Sequence, residues 1–155
     1  MKPEQRKLAG DDPADSYRLE DQVGYWLRRA YQRHMAIFAG IMSDLDLTSM
    51  QFAALVKLHE LKAVSQTELG RLTGMDRATI SGVVARLKRR DLVLYKPDPL
   101  DKRSRIIALT PAGESMLAEA MQRIGRVTEQ TLDPVGVAER ESLRAILQKM
   151  AWGLS

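Results

Sequence analysis

One short stretch of this chain concentrates the residue types that bind or react. Residues 96–105 read KPDPLDKRSR, with Asp98 and Asp101 set among Lys96, Lys102, Arg103 and Arg105. Pro97 and Pro99 stiffen it. It lies between two apolar runs, LVLY at 92–95 and IIAL at 106–109. A stiff charged loop on a hairpin admits three readings: solvated surface, a carboxylate metal site, or a contact with a partner. The metal reading is weak, because the aspartates alternate with cations and the only histidines, His34 and His59, are far away in sequence.

Other chemistry is limited by composition. The chain holds no cysteine, which removes disulfides, thiolate ligands and a redox thiol. No nucleophile–base pair, phosphate-cradling glycine loop or metal-ligand cluster is evident, so no catalysis, cofactor or metal is expected. Residues 1–16 have no apolar h-region and no apolar run reaches the ~20 residues of a membrane span, so a cytoplasmic protein without membrane contact is expected.

The net charge is +4, but it is unevenly placed. Between Arg77 and Arg105 nine Lys or Arg face three Asp, an excess of +6, so the rest of the chain carries −2. A basic block on a near-neutral body is the electrostatic footprint of a polyanion binder, with a merely solvated face as the alternative.

The elements that position this block follow from apolar spacing and capping residues. Residues 1–18 are polar and are expected to form a mobile tail. A stripe through Val23, Trp26, Leu27, Tyr31, His34, Phe38, Ile41 and Leu45 predicts one long amphipathic helix from Leu19. Thr48 with Gln51, and Ser65 with Glu68, have capping-box spacing for two further helices. Gly74 suits a helix end. Asp76 opens a fourth helix through about Arg90. Two strands, 92–95 and 105–109, flank the charged loop. Thr110 followed by Pro111 starts a helix carrying Leu117, Met121, Ile124 and Thr128, and a break at 132–136 precedes a last helix. The expected class is mainly α with a small β-hairpin: a winged helix-turn-helix (48–110) between an N-terminal helix (19–47) and C-terminal helices (111–155).

The fourth helix has two unlike sides. Ile80, Val83, Val84 and Leu87 form a buried stripe, and Ala78, Gly82, Ala85 and Arg89 lie opposite, flanked by Ser81 and Arg86. Glycine in mid-helix costs about 1 kcal/mol relative to alanine. A small-residue outer face lets a backbone approach another surface, as insertion into a DNA major groove requires. Arg77, Ala78, Thr79, Ser81 and Gly82 occupy the end that would meet base edges, with Arg86, Lys88, Arg89 and Arg90 expected as phosphate contacts or solvated charges. Ser65, Gln66 and Thr67 begin the third helix, where free N–H groups favour a phosphate, although capping alone explains Ser65.

The segments LTSMQFAALVKL, SQTELGRLTGMDRATISGVVARLKRRDLV and DPLDKRSRIIALTPAGE resemble the MarR family of bacterial transcriptional regulators, over roughly residues 19–152. The resemblance implies a homodimer interlocked through the N- and C-terminal helices and binding a palindromic double-stranded DNA operator. It makes helix 76–90 the recognition helix and 96–105 the wing. Arg103 matches the wing-tip arginine of the family and Asp101 the aspartate that braces it, with Lys102 and Arg105 placed for nearby phosphates.

Family members respond to signals, and residues 24–34, GYWLRRAYQRH, are dense in aromatic and cationic groups. Trp26, Tyr31, His34 and Phe38 are expected on the inward side, with Arg29 and Arg33 at its edges. This segment resembles regulators of aromatic-acid catabolism, which implies an anionic aromatic effector or its coenzyme A thioester. The other reading makes the aromatics dimer core and the arginines solvated. The leading expectation is a repressor released by such an effector. A non-specific architectural DNA-binding protein is the alternative.

Overall fold

The computed structural model describes residues 13–153. The elements run in the order α1 (Pro13–Ser16), a 3-10 turn (Leu19–Asp21), α2 (Val23–Ile41), a second 3-10 turn (Ser43–Leu45), α3 (Ser49–Leu61), β1 (Ala63–Val64), α4 (Gln66–Thr73), α5 (Arg77–Arg89), β2 (Val93–Pro97), β3 (Arg105–Leu109), α6 (Pro111–Met121), α7 (Ile124–Leu132) and α8 (Val137–Trp152). The chain packs as two units, one ending at Arg33 and one beginning at His34. Most of the expected mobile tail, residues 1–12, lies outside the described residues; Pro13–Ser16 form one helical turn.

In the first unit the expected helix from Leu19 starts four residues later. Gln22 is extended (φ −97°, ψ 127°), and the Trp26 indole N–H donates to the Glu20 carbonyl at 2.6 Å. That bond holds residues 19–21 in a tight turn instead of letting the helix run through.

In the second unit the capping residues act as their spacing predicts. Thr48 Oγ1 accepts from the Gln51 N–H at 3.2 Å, and Gln51 Oε1 accepts from the Thr48 N–H at 3.0 Å. This reciprocal pair explains how Gln51 stays buried without a lost hydrogen bond. Ser65 forms only half of its expected box: its hydroxyl accepts from the Glu68 N–H (3.2 Å), but the Glu68 carboxylate turns to Arg71 at 2.5 and 2.8 Å. α4 and α5 both end in a left-handed residue, Gly74 (φ 68°) and Asp91 (φ 56°). In each case the next residue bonds back across the last turn, Met75 N–H to Gly70 O (2.9 Å) and Leu92 N–H to Leu87 O (3.0 Å).

The hairpin is part of a three-stranded antiparallel sheet in the order β1-β3-β2, with Ala63 opposite Ala108 and Tyr95 opposite Ile107. Two-residue β1 was not expected. Lys62, at φ 67°, turns the chain out of α3, and β3 supplies the partners. The core joins Phe38, Met42, Leu55, Leu58, Leu69, Ile80, Val84, Leu87, Val93, Ile107 and Val127. Burying each such side chain contributes roughly 1.5–3 kcal/mol.

The helix expected from Pro111 through Thr128 is two helices. At the break Arg123 N–H bonds to Ala120 O (3.0 Å) and Arg126 N–H to Arg123 O (3.1 Å), a tighter winding than α. The Arg123 guanidinium is tied to the Ile41 carbonyl (3.5 Å), to Asp44 and to Glu119 (2.9 Å).

Candidate nucleic-acid interface

The recognition face is built from the turn between α4 and α5. Gly70 lets the two helices close up: a Cβ there would stand 3.0 Å from the Met75 carbonyl and 3.1 Å from Ile80 Cγ2. Asp76 then caps α5, its carboxylate accepting from the Thr79 N–H at 2.7 Å. That bond, with further help from Thr79 and Ala78, holds the Asp76 carboxyl below its ordinary pKa.

Ile80, Val83, Val84 and Leu87 are buried, and Arg77, Ala78, Ser81, Ala85, Arg86, Lys88 and Arg89 are exposed. Thr79 and Gly82 are half-buried. A Cβ added to Gly82 would meet nothing within 4 Å. No neighbour within the chain therefore requires glycine there, although mid-helix glycine is unfavourable.

Two of the residues at the start of α4 are already partnered. Ser65 serves as the cap, Gln66 Oε1 accepts from the Tyr95 hydroxyl at 3.0 Å, and Thr67 is exposed. Arg105 was expected to be a phosphate contact, and its guanidinium carbon lies 5.7 Å from the Tyr95 ring centroid.

The wing closes over residues 98–104 through main-chain bonds, Asp98 N–H to Ser104 O (3.0 Å) and Ser104 N–H to Asp101 O (2.9 Å). Both aspartates brace it from inside. Asp98 Oδ1 accepts from the Leu100 N–H (2.9 Å), and Asp101 accepts from the Arg103 N–H (3.0 Å) and the Ser104 hydroxyl (2.9 Å). The brace on Arg103 therefore acts on its backbone. Among the described residues no ion pair joins the Asp101 carboxylate to the Arg103 guanidinium. The family resemblance implied a brace at Asp101 alone; Asp98 shares the task, and its Asx-turn position two residues before Leu100 is the sequence signal for it. Lys102 and Arg103 are exposed.

The Arg103 N–H, then the Ser104 hydroxyl, hold the Asp101 carboxyl below its ordinary pKa. A depressed carboxylate stabilises its turn above its unfolded pKa and loses that contribution as pH falls through the folded value. Asp101→Ala is expected to speed amide exchange at Arg103 and Ser104 and weaken duplex binding, with the melting temperature little changed. Wild-type exchange in the variant would remove the brace.

One cation of the basic block has a structural task. The Arg90 guanidinium donates to the Asp46 and Leu45 carbonyls at 2.5 and 2.8 Å, so it is neither a solvated charge nor placed for phosphate. With Arg123 on the Ile41 carbonyl and Asp44, it secures the turn between α2 and α3.

The expected effector residues divide sharply. In the first unit Trp26 is 56% and Tyr31 50% exposed, and Arg29 and Arg33 are exposed as well. The expected inward face, including Val23 and Leu27, is thus outward in the single chain, because periodicity marks an apolar stripe without saying what covers it. In the second unit Phe38 is core, packed against Phe52 at 5.7 Å between ring centroids, and it also lines a cavity of about 190 Å³ with Met35, Met42 and Ser49. His34 Nδ1 lies 3.0 Å from Thr131 Oγ1. A shallow cavity of about 340 Å³ that the sequence did not suggest lies between α3 and α6, with His59 Nδ1 2.7 Å from Glu114 Oε2 at its edge.

A tight helix-turn-helix with an outward small-residue face, followed by a braced basic wing, defines a winged-helix DNA-binding transcription regulator. Comparison with known proteins agrees. The MarR family profile matches residues 45–104. The repressor NicR of Pseudomonas putida is 41% identical over 86% of this chain and 85% of its own. A probable transcriptional regulator from Pseudomonas aeruginosa superposes with TM-score 0.82 at 43% identity, covering 86% of this chain and 99% of that one. Bordetella bronchiseptica BpsR, whose DNA binding is regulated by 6-hydroxynicotinic acid, does so with TM-score 0.82 at 38% identity, covering 87% and 96%. The chain belongs to the MarR family. Its relatives are transcriptional regulators and not enzymes.

Proposed function

We propose that this protein is a homodimeric repressor that binds a palindromic operator and releases it when a small aromatic carboxylic acid binds. The observation that carries the DNA reading is Gly82: a costly glycine with open space around it, centred on the exposed face of α5. In this reading Arg77, Ala78, Thr79, Ser81 and Gly82 meet base edges. Arg86, Arg89, Lys102, Arg105 and the start of α4 (Ser65, Gln66, Thr67) follow phosphates, and Arg103, held out by Asp101, enters the minor groove. Arg103→Ala should weaken operator binding roughly tenfold or more while the oligomer survives. Unchanged anisotropy titrations would remove the wing from the interface.

Dimerisation is supported by apolar side chains that a single copy leaves in water: Val23, Trp26 and Leu27 in the first unit, and Val137, Ile146, Met150 and Trp152 on α8. Covering such patches is favourable, and exposed patches of this kind mark interfaces. The same reading assigns effector contacts to Trp26, Tyr31, Arg29 and Arg33, which combine aromatic faces with carboxylate-binding guanidinium groups. His34, in contact with Thr131, and Phe38, which lines a cavity at the end of α2, are further candidate contacts in this reading. A free acid is favoured over a thioester by the likeness to BpsR. The ligand acts by binding one dimer geometry better than another. Anisotropy with a panel of hydroxylated aromatic and pyridine carboxylates and their coenzyme A thioesters tests this. Release by a free acid supports the proposal, release by thioesters alone moves the effector class, and release by neither refutes the switch.

A further inference from the structure

Tyr95 belongs to none of the residue sets above, yet it touches three of the elements that carry them. It lies in β2 opposite Ile107, half-buried, with its ring against the core. Its hydroxyl donates to Gln66 Oε1 at the first position of α4, 3.0 Å away. Its ring has the Lys88 Nζ from α5 at 5.0 Å from the centroid and the Arg105 guanidinium carbon from β3 at 5.7 Å. Both distances are within the range of cation–π attraction.

A glutamine amide is ambivalent, since one end accepts hydrogen bonds and the other donates them. A phosphate can use only the donor end. With Oε1 engaged by the Tyr95 hydroxyl, Gln66 has its Nε2 hydrogens left for an anion. The same aromatic ring limits where two cations can go, one on the helix and one on the strand. Ordering long basic side chains after DNA arrives costs conformational entropy, which contacts formed beforehand reduce.

We infer that Tyr95 is a positioning residue for the DNA backbone: its hydroxyl sets the Gln66 amide for phosphate, and its ring holds Lys88 and Arg105 beside it. This rests on the reading of the α4 start as a phosphate contact. It also accounts for a tyrosine at a strand position where phenylalanine would pack equally well.

The test uses the full-length protein and a 30-base-pair random-sequence duplex at low salt, because phosphate contacts do not depend on sequence. Tyr95→Phe, which keeps the ring and loses the hydroxyl, should reduce affinity about threefold or more with the melting temperature little changed. Gln66→Ala should reduce it similarly, and the double variant should bind no worse than the weaker single one, because the two side chains act as a unit. A purely structural tyrosine would not show that coupling. Losses that multiply in the double variant overturn the inference. If Gln66→Ala is weakened while Tyr95→Phe binds as wild type, the inference alone fails. If Gln66→Ala also binds as wild type, the assignment of Gln66 to phosphate fails and the inference with it. Tyr95→Leu should go beyond Tyr95→Phe by releasing both cations; equal affinities for the two variants would overturn the role of the ring.

Discussion

Replacing Gly82 with leucine should leave the protein folded, slightly more stable, and unable to bind duplex DNA. The helix around it gains, because glycine in a helix interior is worse than most residues by about 0.5–1 kcal/mol. Nothing in the chain opposes the change, since an added Cβ has no neighbour within 4 Å. DNA opposes it strongly. The major groove is about 12 Å wide and admits one helix, whose backbone comes closest to the bases where its contacting side chains are small. Ala78, Gly82 and Ala85 supply such a small-residue face, and leucine at the central position would hold the backbone away from the bases. A loss of a hundredfold or more in operator affinity is expected, about 2.7 kcal/mol. Thermal melting and anisotropy on the same sample separate the two effects. Wild-type affinity in Gly82→Leu would take α5 out of the groove.

Gly113→Ala should have the opposite profile and damage the fold itself. A Cβ at this position would lie 2.0 Å from the Leu92 carbonyl oxygen and 3.3 Å from Leu109 Cδ2. The first of these is backbone and is already fixed, because it accepts the Thr110 N–H at 3.1 Å. Thr110 is fixed in turn. Its hydroxyl donates to the Asp91 carbonyl at 2.6 Å and accepts from the Gly113 N–H at 3.0 Å. To admit one methyl group, the first turn of α6 must lift off the start of β2 and strain these bonds together. Overpacking of this kind costs about 3 kcal/mol, and the melting temperature should fall by roughly 10 °C. A variant melting with the wild type would contradict the close approach of α6 to β2.

These two glycines show what the sequence could and could not say. Gly82 was readable as unusual, because a glycine opposite a stripe of Ile80, Val83, Val84 and Leu87 serves no core. Nothing local explains Gly113; the carbonyl of Leu92, distant in sequence, makes it obligatory. Caps were readable for the same local reason. Thr48 with Gln51, Asp76, and Thr110 with Pro111 are satisfied within four residues, so their spacing contains the whole interaction.

What escaped the sequence depended on distant partners. β1 is two residues long and exists because β3 passes beside it. The break between α6 and α7 centres on Arg123, whose partners Ile41 and Asp44 lie some eighty positions earlier. Arg90 belongs to a run of basic residues, and nothing local distinguishes it from Arg89, yet it binds two carbonyls of the turn after α2. The stripe of α2 is apolar as its periodicity predicts, but periodicity does not say what covers it. Its first half is exposed in the single chain; in the last turns Phe38 is buried and Ile37 and Ile41 pack against the core. In the wing, the prolines predicted stiffness and the family resemblance implied a brace at Asp101, while the contacts that do the bracing, Asp101 Oδ1 on the Arg103 amide and Asp98 Oδ1 on the Leu100 amide, follow from the fold of the loop.

The central claim is that α5 and the wing read a particular DNA sequence. It is tested most directly by recovering the preferred duplex from a random library with the full-length protein. Its affinity is then compared with that of a scrambled duplex of equal length and composition. A winged-helix regulator of this build should select a two-fold symmetric site with half-site centres about 10 base pairs apart. It should bind that site roughly a thousandfold more tightly than the scrambled one, with both affinities falling steeply as salt rises. Equal affinities for the two duplexes would contradict sequence reading and leave a general DNA-binding protein in its place.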